Sequence, residues 1–365
     1  MRSPRVTFAL SLCAALLGGL CSLRAAHAGD MDPTPERLVA QPGNLPPGQT
    51  CQSIAANPGA LVSAGLRPAD FPCRPDNASF RNMVSELGFA IAPNAFYPAR
   101  TTGVGGFHVG LEASYTRISP GRTAPGASAP YWHLGTRGRS GSTNDEPDSL
   151  IQIYAVKARK GLPLGFEIAG SLGTIANSGM WVGGGDLRWA LMEGFRTGLP
   201  GFLPDVSLGA GVRTVTGTPK FNLTTVGIDL KMSKPLTLAD TSQIIPTIGY
   251  QRIIIFGDSN VVDSTPDVDA AQQCGFNGPD PVTGAPRCRN KLPNGTENSA
   301  DFSNNFTFDK VRVHRHRGLV GLNYRHEIIW LGSQFAFDIT EPKDENPLLV
   351  GSRQWTLSFE AGVFF

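Results

Sequence analysis

Charge is scarce in this sequence of 365 residues, because only 17 % of them are charged, whereas globular proteins average about a quarter. The formal net charge is +2, so no strongly basic field indicates nucleic-acid binding. Tyrosine is rare beside phenylalanine, with 6 Tyr against 20 Phe, which favours rings that face an apolar environment. This composition excludes a coiled coil and argues against wholesale disorder.

Long apolar runs are missing beyond the N-terminus, which excludes membrane-spanning helices from the rest of the chain. A positively charged start, an apolar run over residues 6–23 and the sequence Ala26-His27-Ala28 predict a secretory signal peptide over residues 1–28. Its removal takes three of the 32 basic residues and leaves 29 against 30 acidic residues. The expected mature chain is therefore nearly neutral.

Four cysteines follow the predicted signal peptide, and an even number in an exported chain favours disulfides. Four cysteines allow three connectivities. We favour Cys51–Cys73 and Cys274–Cys288, because this pairing closes the shortest loops. Neither pair has the Cys-x-x-Cys spacing of a zinc or redox site, so these thiols are not expected to bind a metal.

Residues 29–105 are predicted to form a mostly irregular N-terminal extension. Residues 29–76 are rich in proline and small residues and show no period. A short helix is expected next, capped by Asn77 or Ser79, with its apolar side over residues 80–87 and its end at Gly88.

From Gly106 to the last residue the apolar period is two, which is typical of β-strands with one apolar and one polar face. The last strand, over residues 355–365, alternates most regularly. We expect about ten strands of roughly nine to fourteen residues, and about nine to eleven suffice to cross a bilayer. Twelve strands are the alternative, if Tyr131–Gly135 and residues 83–92 also pair.

The predicted connections alternate between short and long. Residues 119–149 and 258–305 form the two longest loops, whereas a tight turn is expected near Trp330-Leu331-Gly332. With an even number of strands, both chain ends lie on one side of the sheet and both longest loops lie on the other. This asymmetry is typical of outer-membrane barrels.

In its signal peptide, its alternation over residues 107–365 and its terminal aromatic strand, the chain resembles bacterial outer-membrane β-barrel proteins. The resemblance implies an all-β fold, an antiparallel transmembrane β-barrel over residues 106–365, in the outer membrane of a Gram-negative cell. It implies outer-membrane lipid, lipopolysaccharide and the barrel assembly machinery as partners, with Phe365 as the assembly signal. The extension over residues 29–105 is then a plug or a periplasmic segment.

The polar face of the strands supplies the candidates for the barrel lumen. By strand parity, they are Glu112, Glu167, Asp186, Arg188, Arg213, Asp338 and Glu360. Their mixed signs argue against a selectivity ring of one charge. Two interpretations stay open: a closed interior joined by ion pairs, or a narrow conducting path.

The densest basic run, residues 310–317, follows the longest loop. Arg315 and Arg317 share a face and are candidates for contact with lipid phosphates, which guanidinium groups favour. His314 and His316 share the other face but lack further ligands, so no metal site is expected. The aspartates that begin the preceding loop do not have the spacing of a calcium loop.

The sequence favours a barrel for narrow or gated passage of small solutes, or with a structural role in the envelope. It contains no hydrolase motif, so we expect no enzyme and no cofactor. Two alternatives remain: a rim-active hydrolase that uses His133 and His314, and a soluble secreted β-sandwich that serves as a binding module.

Overall fold

The computed structural model describes residues 31–40, 74–94, 96–124, 126–127, 129–138, 143–194, 202–239, 241–263, 276–279, 282, 286–288, 305–344 and 352–365. The predicted signal peptide and three of the four predicted disulfide cysteines, Cys51, Cys73 and Cys274, lie outside these ranges. Cys288 ends a short strand, and its side chain is not described. Both disulfides therefore stay predictions.

Ten antiparallel strands of 10 to 18 residues form the wall of the molecule. They are β1 (Phe107–Arg117), β2 (Leu150–Gly161), β3 (Phe166–Ile175), β4 (Trp181–Met192), β5 (Asp205–Thr216), β6 (Phe221–Ser233), β7 (Ser242–Ser259), β8 (Val311–His326), β9 (Ile329–Asp338) and β10 (Trp355–Phe364). Within the described ranges, two α-helices accompany them, α1 (Asn77–Ile91) and α2 (Tyr131–Gly135).

The remaining elements are short. They are the 3₁₀ turns Pro35–Arg37 and Pro163–Gly165 and the strands Val39–Ala40, Arg74–Pro75, Leu236–Ala239, Val262–Asp263, Phe276–Pro279, Pro286–Cys288, Asn305–Phe306 and Lys343–Asp344. Among the described residues, no helix is long and apolar enough to cross a membrane.

The wall closes on itself. β10 pairs with β1, from Thr356 opposite Thr116 to Phe364 opposite His108. β7 and β8 pair across the longest connection, so each of the ten strands has two antiparallel neighbours. Closure leaves the wall without an open edge. The prediction of a ten-stranded barrel is confirmed, and the β-sandwich alternative is wrong. The twelve-strand alternative also fails, because both of its extra segments are helical or end a helix.

Side chains alternate between the lumen and the outer surface along every wall strand. Each strand carries at least one large apolar residue on its outer face that is more than a third exposed; one example from each strand is Phe107, Tyr154, Leu172, Trp189, Leu208, Ile228, Ile248, Val320, Phe335 and Phe359. None of the described residues forms a protein layer over them. An apolar belt that runs around a closed barrel is the surface that hydrocarbon lipid covers.

The two ends of the barrel differ. We call the end with connections 118–149 and 260–310 the loop end, and the end with Phe107 and Phe365 the turn end. The two longest connections share one end, as the sequence predicts. The expected turn at residues 330–332 is wrong. The chain reverses at Glu327 and Ile328, where Glu327 has a φ of 49°, and residues 330–332 lie within β9.

Helix α1 lies inside the barrel at the loop end. The Asp76 side chain caps it by accepting a hydrogen bond of 2.9 Å from the Ser79 backbone N–H, so the expected caps Asn77 and Ser79 lie one and three residues inside. The helix continues past Gly88 to Ile91. A Cβ at Gly88 would lie 2.4 Å from the Ile255 side chain, so this glycine permits close contact with the wall and does not end the helix.

The loop-side half of the lumen is mostly apolar. Phe80, Met83, Val84 and Leu87 of α1 are buried in one cluster with inward residues of the surrounding strands. The wall contributes Ile151, Ile153, Ile175, Val182, Val215, Phe221, Leu223, Ile253, Ile255, Val311 and Val313. The Phe80 ring also stacks on that of Phe308 at 4.3 Å. This half of the barrel therefore has a hydrophobic core with a helix as its centre.

Candidate functional site: the filled lumen

We call residues 77–100 the plug, because they run through the lumen from the loop end to the turn end. After α1, wall side chains hold the plug by its backbone. Pro93 O accepts hydrogen bonds from Gln251 Nε2, at 3.1 Å, and from Arg317. Both donors are fully buried. A backbone carbonyl with two buried side-chain donors fixes the position of the chain at the middle of the lumen.

Towards the turn end, two cations hold the next part of the plug. Lys231 Nζ donates to Tyr97 O at 3.0 Å, and Arg188 Nη1 donates to Pro98 O at 3.1 Å. Both side chains are buried on the inner wall. These hydrogen bonds to charged groups are worth about 1.5–3 kcal/mol each, more than a bond between neutral groups.

The Tyr97 side chain is the centre of the charged half of the lumen. The Arg159 guanidinium lies over its ring, 3.5 Å from the centroid, and the ammonium of Lys157 lies 5.3 Å away. Its hydroxyl donates to Glu360 Oε1 at 3.2 Å. The ring face of Tyr97 therefore contacts cations of the wall, and its hydroxyl is hydrogen-bonded to a carboxylate of the wall. Both the apolar and the polar part of the side chain are bound.

Ion pairs along the wall neutralise most of these charges. Arg188 Nη1 lies 3.2 Å from Glu167 Oε1, and Arg159 Nη1 lies 3.7 Å from the same oxygen. Lys157 pairs with Glu112. These contacts join neighbouring strands, so the wall holds its own charges in balance beside the plug.

Asn94 joins the plug to this network from the other side. Its amide donates to Glu112 and, at 2.9 Å, to Ser114 Oγ. A small cavity lies beside it, lined by residues of α1 and the wall that include Lys157 and Arg213. Arg213 in turn pairs with Asp186, with Nη2 2.6 Å from Oδ2.

The seven residues predicted to face the lumen are all placed on the inner side of the wall. Six of them are buried, and Asp186 is half-buried. Sequence reasoning missed Lys157, Arg159, Asp229 and Lys231, because β2 and β6 showed no regular alternation. For Lys157 and Arg159, the acids Glu112 on β1 and Glu167 on β3 were the available signal, since acids in a narrow lumen require cations nearby.

The prediction that Arg315 and Arg317 contact lipid phosphates is wrong. Both are fully buried inside the barrel. Arg315 pairs with Asp338 and donates to Ser85 O of the plug at 3.0 Å. Arg317 donates to Gln251. Because β8 places odd-numbered residues inward, both arginines hold the plug and have no access to lipid.

A buried carboxylate at the loop end, Glu86 of α1, was also missed. Tyr131 Oη and Trp132 Nε1 of α2 each donate to it at 2.7 Å. The Ser119 backbone N–H, at 3.2 Å, and the Ser352 hydroxyl complete the shell. Burial, followed by the charge of Glu86, raises the pKa of Tyr131 well above its usual value, so Tyr131 stays a donor. Nothing in the local sequence indicates that the four donors converge.

Residues 31–40, which we call the cap segment, cross the loop end above the plug. Asp32 Oδ1 accepts a hydrogen bond of 2.6 Å from the Gly179 backbone N–H, in the β3–β4 connection. The backbone N–H of Thr34 donates to Gly135 O at 2.8 Å, and Glu36 pairs with Lys220. The cap segment thus joins α2 to the β3–β4 and β5–β6 connections.

Other predicted residues have more peripheral positions. Phe365 lies at the turn end, 61 % exposed, with its backbone paired to Phe107. His133 lies in α2, whereas His314 lies on the outer face of β8. Within the described ranges, no group of three His, Cys, Asp or Glu side chains could hold a metal ion. The expectation that the chain is not an enzyme stays a prediction.

No protein-family model and no curated protein matches the chain. Similar solved structures include Ail, the attachment invasion locus protein of Yersinia pestis, at 9 % identity and a TM-score of 0.24, covering 72 % of this chain and 99 % of Ail. An outer membrane channel from Pseudomonas putida F1 is 11 % identical, with a TM-score of 0.28, covering 75 % of this chain and 99 % of its own. The outer membrane protease OmpT from Escherichia coli is 10 % identical, with a TM-score of 0.21, covering 75 % and 99 %.

These identities and TM-scores carry no inference about function, so the class of the protein rests on its own architecture. The wall is a closed antiparallel barrel, and the apolar belt on its outer face is exposed in the part of the chain that the structure describes. Only strands whose backbone groups are all paired can cross hydrocarbon in this way. The architecture of the chain is that of a membrane-spanning antiparallel β-barrel.

Proposed function

We propose that this protein is a plugged outer-membrane barrel with a structural role in the envelope, closed in its resting state by its own N-terminal segment. The observation that carries the proposal is the continuity of the plug. Asn77 contacts Asp309 of the β7–β8 connection at the loop end, and Pro98 contacts Arg188 of the wall near the turn end. A ten-stranded barrel is slightly wider than one that side chains alone can fill. A helix and an extended segment occupy that extra space.

The apolar contact of α1 argues for a lasting closure. Phe80, Met83, Val84 and Leu87 are each at most 2 % exposed. Exposing one such side chain to water costs about 1.5–3 kcal/mol. Withdrawal of α1 would therefore cost several times that amount, and the inward apolar residues of the wall would add to the cost.

Gated passage of small solutes is the second candidate, and the charged half of the lumen favours it. There the wall ion pairs, such as Glu112 with Lys157, do not depend on the plug. A path along residues 92–100 would keep its walls neutral and hydrated if that part of the plug moved. This candidate requires movement of the extended segment alone, with α1 held in place or shifted only slightly.

Planar-bilayer conductance tests both candidates. We expect the wild-type barrel to show no steady conductance, and a variant that lacks residues 31–100 to conduct steadily. A steady wild-type conductance equal to that of the deletion variant would contradict the plug.

Two further observations complete the experiment. Brief openings of the wild type at high voltage would support gating, whereas closure at all voltages supports the structural role. Because the deletion variant could fail to fold, Tyr97→Ala is the second variant. It removes the ring between Arg159 and Glu360, and we expect more frequent openings from it only if the extended segment is the gate.

A further inference from the structure

The outer surface of β7 and β8 carries a basic patch near the loop end. It consists of Arg252, Arg312, His314 and His316, all on even-numbered, outward positions. The strand register brings them together, since Arg252 lies opposite His316. Both arginines are exposed, and both histidines are half-buried. These are the side chains of the basic run and its neighbouring strand that lie on the lipid-facing side.

The same two strands become apolar towards the turn end. Ile248 is 58 % exposed, and the outward residues Val320 and Leu322 are 52 % and 51 % exposed. The patch therefore lies at the loop-side margin of the apolar belt, where the surface changes from hydrocarbon contact to polar contact. Phosphate groups of the lipid occupy this depth in a bilayer.

Aromatic side chains stand beside the charges. The Arg312 guanidinium lies 5.8 Å from the centroid of the Phe256 ring. The hydroxyl of Tyr250 is hydrogen-bonded to His316 Nδ1. Aromatic rings and long cationic side chains together are typical anchors at a membrane interface.

The charged side chains at the described outward positions of β7 and β8 are mostly basic. Asp258 is the only acidic residue among the described outward positions of β7 and β8, and it lies beyond Phe256 towards the loop. The acids that pair with arginine elsewhere in the barrel face the lumen. Two exposed guanidinium groups on neighbouring strands are therefore suited to an anionic ligand at this surface.

We propose that the patch binds the phosphate groups of outer-leaflet lipid, with Arg252 and Arg312 as the principal ligands. Guanidinium groups bind phosphate oxygens through two parallel hydrogen bonds, and the patch offers two such groups on neighbouring strands. The proposal rests on the outer-membrane location and is independent of whether the plug moves.

The test compares the double variant Arg252→Gln/Arg312→Gln with Lys160→Gln. Lys160 is also exposed and outward, but it lies at the turn end, so its substitution tests the loss of a positive charge away from the patch. Each barrel is purified in detergent and titrated with phosphorylated lipid A, with lipid A lacking phosphate, and with inorganic phosphate. We expect about a tenfold weaker binding of phosphorylated lipid A by the double variant and no change in Lys160→Gln.

Four outcomes would overturn the proposal. Equal binding by the double variant and the wild type, or an equal loss in Lys160→Gln, would overturn it. Equal binding of lipid A with and without phosphate would also overturn it. Competition by millimolar inorganic phosphate would assign the site to free phosphate and overturn the lipid assignment. A retained gel shift on boiling, measured on the same samples, separates loss of the site from loss of the barrel.

Discussion

Glu86 shows how one side chain can join the plug to the loops. Its carboxylate is fully buried, yet donors from α2, Ser119 and Ser352 surround it. A buried charge is tolerated when hydrogen bonds replace its hydration. Since the donors come from the β1–β2 and β9–β10 connections, Glu86 stabilises the loop end as a unit.

We expect Glu86→Ala to loosen the loop end without opening the wall. The change leaves the Tyr131 hydroxyl and the Trp132 indole N–H buried without their acceptor, at a cost of about 1–3 kcal/mol for each. The measurement is hydrogen exchange of the α2 amides, which we expect to accelerate by about tenfold or more. Glu341→Ala, at an exposed position, is the control, and equal exchange in both variants would show that the Glu86 shell contributes nothing.

Phe365 is expected to contribute to assembly in the membrane more than to the stability of the folded barrel. Its side chain is largely exposed. We expect deletion of Phe365 to lower the amount of barrel in the outer membrane severalfold in cells, while refolding of the purified chain in detergent keeps its yield. Loss of refolding in detergent would instead show that Phe365 is part of the folding core.

Side-chain alternation predicted the inner and outer sets on six strands, but not on β2, β6, β7 and β8, and β8 shows one reason. There Val311 and Val313 share the inner face with Arg315 and Arg317. The rule that polar residues face the lumen fails at this height, because α1 makes the loop-side half of the lumen apolar. No pattern within β8 itself reveals that a helix from the other end of the chain packs there.

At the scale of elements, α1 depends on close contact with the wall. Gly88 faces Ile255 of β7, and a side chain at this position would overlap it. The sequence predicted this helix from its apolar spacing. Its end was misplaced because glycine is typical of helix ends, whereas here Ala92 and Pro93 follow the last turn at Ile91.

We expect Gly88→Val to displace α1 from β7. Overpacking of this kind costs about 1–3 kcal/mol. The measurement is the conductance of the barrel, in which we expect transient openings that are absent from the wild type. Gly121→Ala is the control, because a Cβ there meets no atom within 4 Å. If neither variant showed openings in the conductance recordings, the lumen would accommodate the added side chain without displacement of α1.

At the scale of the whole molecule, strand number and loop asymmetry were predictable, since both follow from long alternating segments. The path of the plug was not predictable. Its contacts join residues far apart in sequence, as when Tyr97 bonds to Glu360, and they have no local signature. The position of the cap segment across the loop end is likewise set by backbone contacts, such as that of Thr34 with Gly135.

A closed barrel with a filled lumen should resist detergent. We expect the unheated protein to migrate on a detergent gel as a compact, fast band, and to shift to a slower band after boiling. The reason is that all wall strands are paired on both sides, so unfolding must break the whole ring. A single mobility before and after boiling would contradict this resistance.

The direction of the plug has a consequence for biogenesis. The chain enters the lumen at the loop end, leaves it at the turn end, and only then begins β1. If the barrel closed first, the chain that precedes residue 77 would have to pass through the closed lumen afterwards. In the simpler order, β10 pairs with β1 after the plug already lies between the strands. The pairing that closes the barrel then also encloses the plug.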